Sequence, residues 1–151
     1  MNLKAALFIG FFLSVKMSMT RAEANDPSFE ALLKQQVAIN EGVQIQQILP
    51  MELDDRLAGL EKAVLWTIIG PTYWRNQMSI LANRAGHMKV LVTVPVQGMV
   101  MGFGPIKPDR TLVVETRISG PNDPLCCPTQ VKLLYFRYRA GRLLAVESDP
   151  E

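Results

Sequence analysis

The residues best equipped for chemistry in this chain are its two cysteines, which stand side by side in Asp123-Pro124-Leu125-Cys126-Cys127-Pro128-Thr129. Adjacent α-carbons across a trans peptide are about 3.8 Å apart, closer than the roughly 4.4 to 6.8 Å of ordinary disulfides. A bond between them would close a tight eight-membered ring, and strained bonds of this kind are the more readily reduced ones. Pro128 confines Cys127 to extended backbone and so stiffens the loop before any bond forms. Four chemistries are open to the pair: a disulfide that staples the loop, two thiols packed as small apolar groups, a redox switch, and a soft-metal site. With only two cysteines in the chain, Cys126 and Cys127 are the one intramolecular disulfide candidate.

Other chemistry-bearing residues are sparse. Met99-Val100-Met101 places two thioethers on one side of an extended segment, and the single histidine, His87, precedes Met88; sulfur ligands of this type suit Cu(I). Methionine is equally a core filler in strand-rich folds, and zinc would need further ligands at finger-like spacing that the chain lacks. Leu53-Asp54-Asp55-Arg56-Leu57-Ala58-Gly59-Leu60-Glu61 has the acidity of a calcium loop without carboxylates or glycine at the required positions, so it reads as a connection into the next strand. Hydrolysis by a serine nucleophile finds no glycine-flanked serine, and His87 falls in a predicted hairpin turn at the surface. Glu115 has no second carboxylate to pair with. Trp66, Tyr73, Trp74, Tyr135, Phe136 and Tyr138 are equally suited to a ligand groove and to a core. No catalytic residue, cofactor or metal ligand is therefore assigned.

The elements that must position the double cysteine are mostly strands. Asp26-Pro27 reads as a helix cap followed by proline at the first helical position, and Phe29, Leu32, Leu33, Gln36 and Val37 recur at helical spacing until Gly42. Residues 43–49, 63–69, 74–82, 87–94, 111–118, 130–139 and 143–147 are β-branched or aromatic runs of strand length. Asn83-Arg84-Ala85-Gly86 and Arg139-Ala140-Gly141-Arg142 put glycine where a tight hairpin needs left-handed backbone. Residues 105–110 form a longer turn, and residues 120–128 a proline-punctuated loop between two strands. The expected fold class is α+β, an N-terminal helix packed on a mainly antiparallel β-sheet of about six or seven strands.

The amino terminus reads as an export signal: basic Lys4, an apolar run over residues 5–15, and a small-x-small site at Ala22-Glu23-Ala24, although Lys16 and Arg21 interrupt the usual pattern. Residues 1–24 are the expected signal peptide and residues 25–151 a single β-rich domain. The apolar run is well short of the ~20 residues that span a bilayer, so no stable membrane span is expected in the mature chain. Removing Lys4, Lys16 and Arg21 from 16 basic residues and Glu23 from 14 acidic ones leaves 13 of each. A near-neutral chain with scattered charge has no electrostatic footprint for nucleic acid, and the Arg137, Arg139 and Arg142 cluster reads as a solvated strand face and turn.

From Leu112-Val113-Val114-Glu115-Thr116-Arg117-Ile118-Ser119-Gly120-Pro121-Asn122 through the double-cysteine loop to Leu144, the chain resembles bacterial exported proteins of the LppP/LprE lipoprotein kind, in which a strand enters a Cys-Cys-Pro-Ser/Thr loop and a last hairpin follows. The resemblance implies a small extracytoplasmic β-rich domain. It carries over no catalytic residue, and the lipid-bearing cysteine of those lipoproteins is absent here. Taken together, the sequence predicts an exported envelope or secreted protein (periplasmic or secreted) of unassigned activity that is not an enzyme, a binding or structural module. Its partner would be an envelope component or a small ligand. The alternative is a redox-sensing or copper-binding protein acting through Cys126 and Cys127.

Overall fold

A computed structural model describes residues 27–53 and 61–147. The predicted signal peptide, the capping Asp26 and Asp54 to Leu60 of the acidic connection lie outside the described residues.

Helix α1 (Pro27–Lys34) buries Phe29 and Leu33, one turn apart, with Leu32 packed beside them. The helical spacing continues in sequence to Val37, but the helix stops three residues earlier. The Ala38 N–H, which a longer helix would aim at the Lys34 carbonyl, donates instead to the Glu41 carboxylate at 2.8 Å. That side chain substitutes for the next helical hydrogen bond, so the chain turns into the first strand.

Eight strands follow: β1 (Gly42–Met51), β2 (Glu61–Ile69), β3 (Trp74–Arg84), β4 (His87–Val96), β5 (Met99–Phe103), β6 (Leu112–Ile118), β7 (Gln130–Arg139) and β8 (Arg142–Val146). They form two antiparallel four-stranded sheets, β1-β2-β3-β4 and β5-β6-β7-β8, in place of the one sheet of six or seven strands that the sequence suggested. The reason lies at residues 97–98. β4 runs past Val94 to Val96, and Gly98, at φ 82°, sends the chain into the second sheet within two residues. A Cβ at Gly98 would lie 2.7 Å from the Arg117 carbonyl oxygen, so this crossing admits glycine alone. The methionine pair then proves to belong to β5, a strand that its thioether motif had masked.

The sheets pack face to face. Leu49, Met51, Ala63, Leu65, Met78, Ile80 and Val96 of the first meet Leu112, Val114, Phe136, Tyr138 and Leu143 of the second in one buried layer. On the other face of the first sheet, Ile48, Val64, Trp66, Ile68 and Leu81 receive Phe29 and Leu33 of α1. The order is helix, sheet, sheet. β1 lies against β5, where the Gln47 side chain accepts the Phe103 N–H at 2.8 Å, and β4 lies against β8. A register shift between Ile45 and Gln47 lets Gln46 and Gln47 both serve the inter-sheet side.

Both predicted hairpins are present. Ala85 and Gly86 have φ 52° and 83°, and Ala140 and Gly141 have φ 49° and 78°, so each turn places two successive residues in the left-handed region.

Candidate binding cleft beside the double cysteine

The β6–β7 loop is built around one carboxylate. Asp123 Oδ2 accepts the N–H of Gly120 at 2.8 Å and of Thr129 at 2.7 Å, and the Thr129 hydroxyl donates to Oδ1 at 2.8 Å. These bonds, the Gly120 amide first, hold the Asp123 carboxyl below its ordinary range. They close the base of the loop without help from sulfur. Within the closed base the Cys127 N–H donates to the Pro124 carbonyl at 3.0 Å, and the sulfurs of Cys126 and Cys127 lie at disulfide distance. Both cysteines are exposed.

The loop tip overhangs a cleft of about 580 Å³ at one end of the two sheets. Its walls include Trp74 and Asn76 from the start of β3, Val96 from the end of β4, Met99 from β5, Ile118 from β6, and Leu125, Cys126 and Pro128 from the loop. Trp74 is 57% exposed and Leu125 fully so, which puts two large apolar side chains on the walls of one concave site. Arg75 and Arg117 also line the cleft, and among the described residues no carboxylate does. Arg75 is engaged: its guanidinium donates to Glu41 at 2.7 Å and stacks over the Tyr73 ring at 5.3 Å. Arg117 is exposed and has no ion-pair partner among the described residues.

A polar relay through buried Thr67 and Asn76 fixes the floor. Gln46 Nε2 donates to Thr67 Oγ1 at 2.8 Å, that hydroxyl donates to Asn76 Oδ1 at 2.9 Å, and Asn76 Nδ2 donates to the Gly98 carbonyl at 2.8 Å. The relay ties the strand that carries Trp74 to the crossing that carries Met99. Beside it, Glu41 is buried with its carboxylate on the Tyr73 hydroxyl, the Ala38 amide and Arg75; these three, the tyrosine first, lower its pKa, while the same hydrogen bond raises that of Tyr73.

The structure brings together some of the residues that the sequence singled out and separates others. Met99 and Cys126 line one cleft, as does Trp74. Phe136 and Tyr138 fill the inter-sheet layer, and Trp66 lies under the helix, its indole N–H donating to Ser79 at 2.8 Å. Met101 is exposed. His87, also exposed, begins β4 at the β3–β4 hairpin, the opposite end of β3 from Trp74, and neither it nor Glu115 lines the cleft. Among the described residues no three histidine, cysteine or acidic side chains converge as a metal site. Glu61 is fully buried, with Oε2 accepting the Leu53 N–H at 2.9 Å. Asn76 was missed by sequence reading. Flanked by Arg75 and Gln77 at the start of its strand, it carries no sequence signal of burial; its partners appear only once the strands are paired.

No family model, no curated protein and no solved structure matches this chain. No helix among the described residues is long and apolar enough to cross a membrane.

Proposed function

We propose that this chain is an exported, non-catalytic binding module, periplasmic or secreted, whose cleft takes a small ligand with a flat apolar group. The observation that carries this reading is the exposure of Trp74 and Leu125 on walls of one cleft of ligand size. Arg117 in the lining, without an ion-pair partner among the described residues, favours a negative charge on that ligand. The resemblance to LppP/LprE proteins and the amino-terminal apolar run support export, with the mature chain starting at Asn25.

The test uses anilinonaphthalene sulfonate, which is flat, apolar and anionic, and phenylnaphthylamine, its uncharged relative. The mature protein should bind the sulfonate saturably at one site and more tightly than the neutral amine. Trp74→Ala should weaken binding about tenfold with an unchanged circular dichroism spectrum, the scale of one aromatic stacking contact. Binding that is unsaturable, or indifferent to Trp74, would refute the cleft as the site.

A further inference from the structure

The geometry points to Cys126–Cys127 as a thiol–disulfide exchange site set in the wall of the cleft, so that a dithiol reductant controls ligand affinity there. This inference rests on the cleft being a binding site and adds the chemistry that regulates it.

Three observations carry it. First, the pair is accessible: both cysteines are exposed, so a thiolate can reach either sulfur. Exposed disulfides belong to the labile and regulatory class, whereas structural ones are shielded. Second, the bond has little structural duty. The Asp123 clasp to Gly120 and Thr129 closes the loop base by itself, and a bridge between neighbouring residues removes little chain entropy from the unfolded state. The fold therefore keeps its stability when the bond opens. Third, the consequence is local to the site. Leu125, Cys126 and Pro128 all line the cleft, so the tip freed by reduction is part of the wall it shares with Trp74 and Met99.

One thiolate of the reductant attacks a cysteine sulfur, the Cys126–Cys127 bond breaks, and the departing sulfur leaves as a thiolate that takes up a proton. The second reductant thiol then displaces the protein sulfur from the mixed disulfide. The protein ends with two thiols, having gained two electrons and two protons, and the reductant ends as its own disulfide. With the ring open, residues 125–127 regain backbone freedom that ligand binding must remove again, so the reduced form binds more weakly.

The experiment equilibrates mature protein in dithiothreitol buffers of graded oxidised-to-reduced ratio. It reads thiol content by alkylation and mass spectrometry, and anilinonaphthalene sulfonate affinity in parallel. The expected result is a single two-electron transition from no alkylatable thiol to two. Affinity should fall about fivefold along the same curve, with a native circular dichroism spectrum throughout. The Cys126→Ser, Cys127→Ser double variant should bind at the reduced level and ignore the buffer. Exchange with unchanged affinity overturns the inference while leaving the binding reading intact. A pair that resists dithiothreitol in the folded protein also overturns it. Absence of sulfonate binding in the oxidised protein overturns the binding reading, and with it the control of affinity, while the alkylation result stands separately.

Discussion

The two sheets contain the same number of strands and the same kind of hairpin, yet they are buried very differently. In the first, β2 is buried from Ala63 through Ile68 without alternation. In the second, β7 buries only Phe136 and Tyr138, on its inner face, and leaves residues 130–133 exposed on both. The difference is coverage. The first sheet has the helix on one face and the second sheet on the other; among the described residues the second is packed along its inner face, while its outer face is covered only at Val113 and Tyr135, by Gly104 and Lys107, and stays bare at Val131 and Leu133. A sheet covered twice reads as a continuous apolar run, and one left bare on a face does not. The cleft forms where the two regimes meet, because inward-facing side chains at the strand ends, Trp74 above all, run out of opposing sheet.

The largest expected effect comes from removing one apolar side chain from each outer face. Trp66→Ala, on the helix-covered face, should cost about 3–5 kcal/mol in chemical denaturation, since it empties a filled site and leaves the Ser79 hydroxyl without its indole partner. Val131→Ala, on the bare part of the other outer face, should change stability by less than ~0.5 kcal/mol. Comparable costs would mean that this part of the second sheet is covered in solution.

Next in size is the relay across the junction. Asn76→Ala deprives the Gly98 carbonyl of its side-chain donor and the Thr67 hydroxyl of its acceptor inside the layer, a loss of about 2 kcal/mol. Urea denaturation measures it. A loss near zero would show that water reaches the floor of the cleft and replaces the amide.

How much of this was legible in sequence follows from the same contrast. The helix face of Phe29 and Leu33, both Ala-Gly hairpins and the strand at residues 130–139 could be read because each is set by local rules: helical spacing, left-handed turns, a run of β-branched and aromatic residues. The split into two sheets could not. Val92 before the crossing and Val100 after it have the same β-branched character, and both pack on the shared core, so composition does not say which sheet a strand joins. That assignment depends on Gly98, whose need for a positive φ appears only once the Arg117 carbonyl is placed beside it. Of the candidate site, the cysteine loop was legible as a motif. Its partnership with Trp74 and Met99 arises from strand order and has no local signature.

Acid distinguishes the regions through their carboxylates. Glu41 anchors the helix end to the β2–β3 turn beside the first sheet, while Asp109, which accepts from the Thr111 amide and pairs with Arg137, and Asp123 hold loops of the second. All three have pKa values below their ordinary ranges in the folded chain, Asp109 chiefly through Thr111. The unfolded chain therefore takes up these protons first as pH falls. Their contribution to stability is complete above the usual carboxylate range and is lost progressively as pH drops from about 5 through the lowered folded values. Urea midpoints measured across that interval should fall, and Glu41→Gln should flatten part of the fall. Midpoints that rise on acidification would contradict the sign.

The smallest effect tests what the two sheets share. Ala85 in the β3–β4 turn and Ala140 in the β7–β8 turn are non-glycine residues held at φ 52° and 49°, a conformation that crowds the Cβ against the backbone. Asparagine tolerates it better, because its short amide bonds locally to the backbone. Ala85→Asn and Ala140→Asn should each stabilise the protein by about 0.5 kcal/mol, by thermal or urea denaturation, with additive effects because the turns join different strand pairs in different sheets. Equal gains would place the contrast between the sheets in their coverage and leave turn chemistry out of it. A gain at Ala85 without one at Ala140 would instead mean that the β7–β8 hairpin frays in solution, since a turn that is already partly open recovers little from better backbone geometry; β8 is the short edge strand of the less covered sheet, where such fraying would begin.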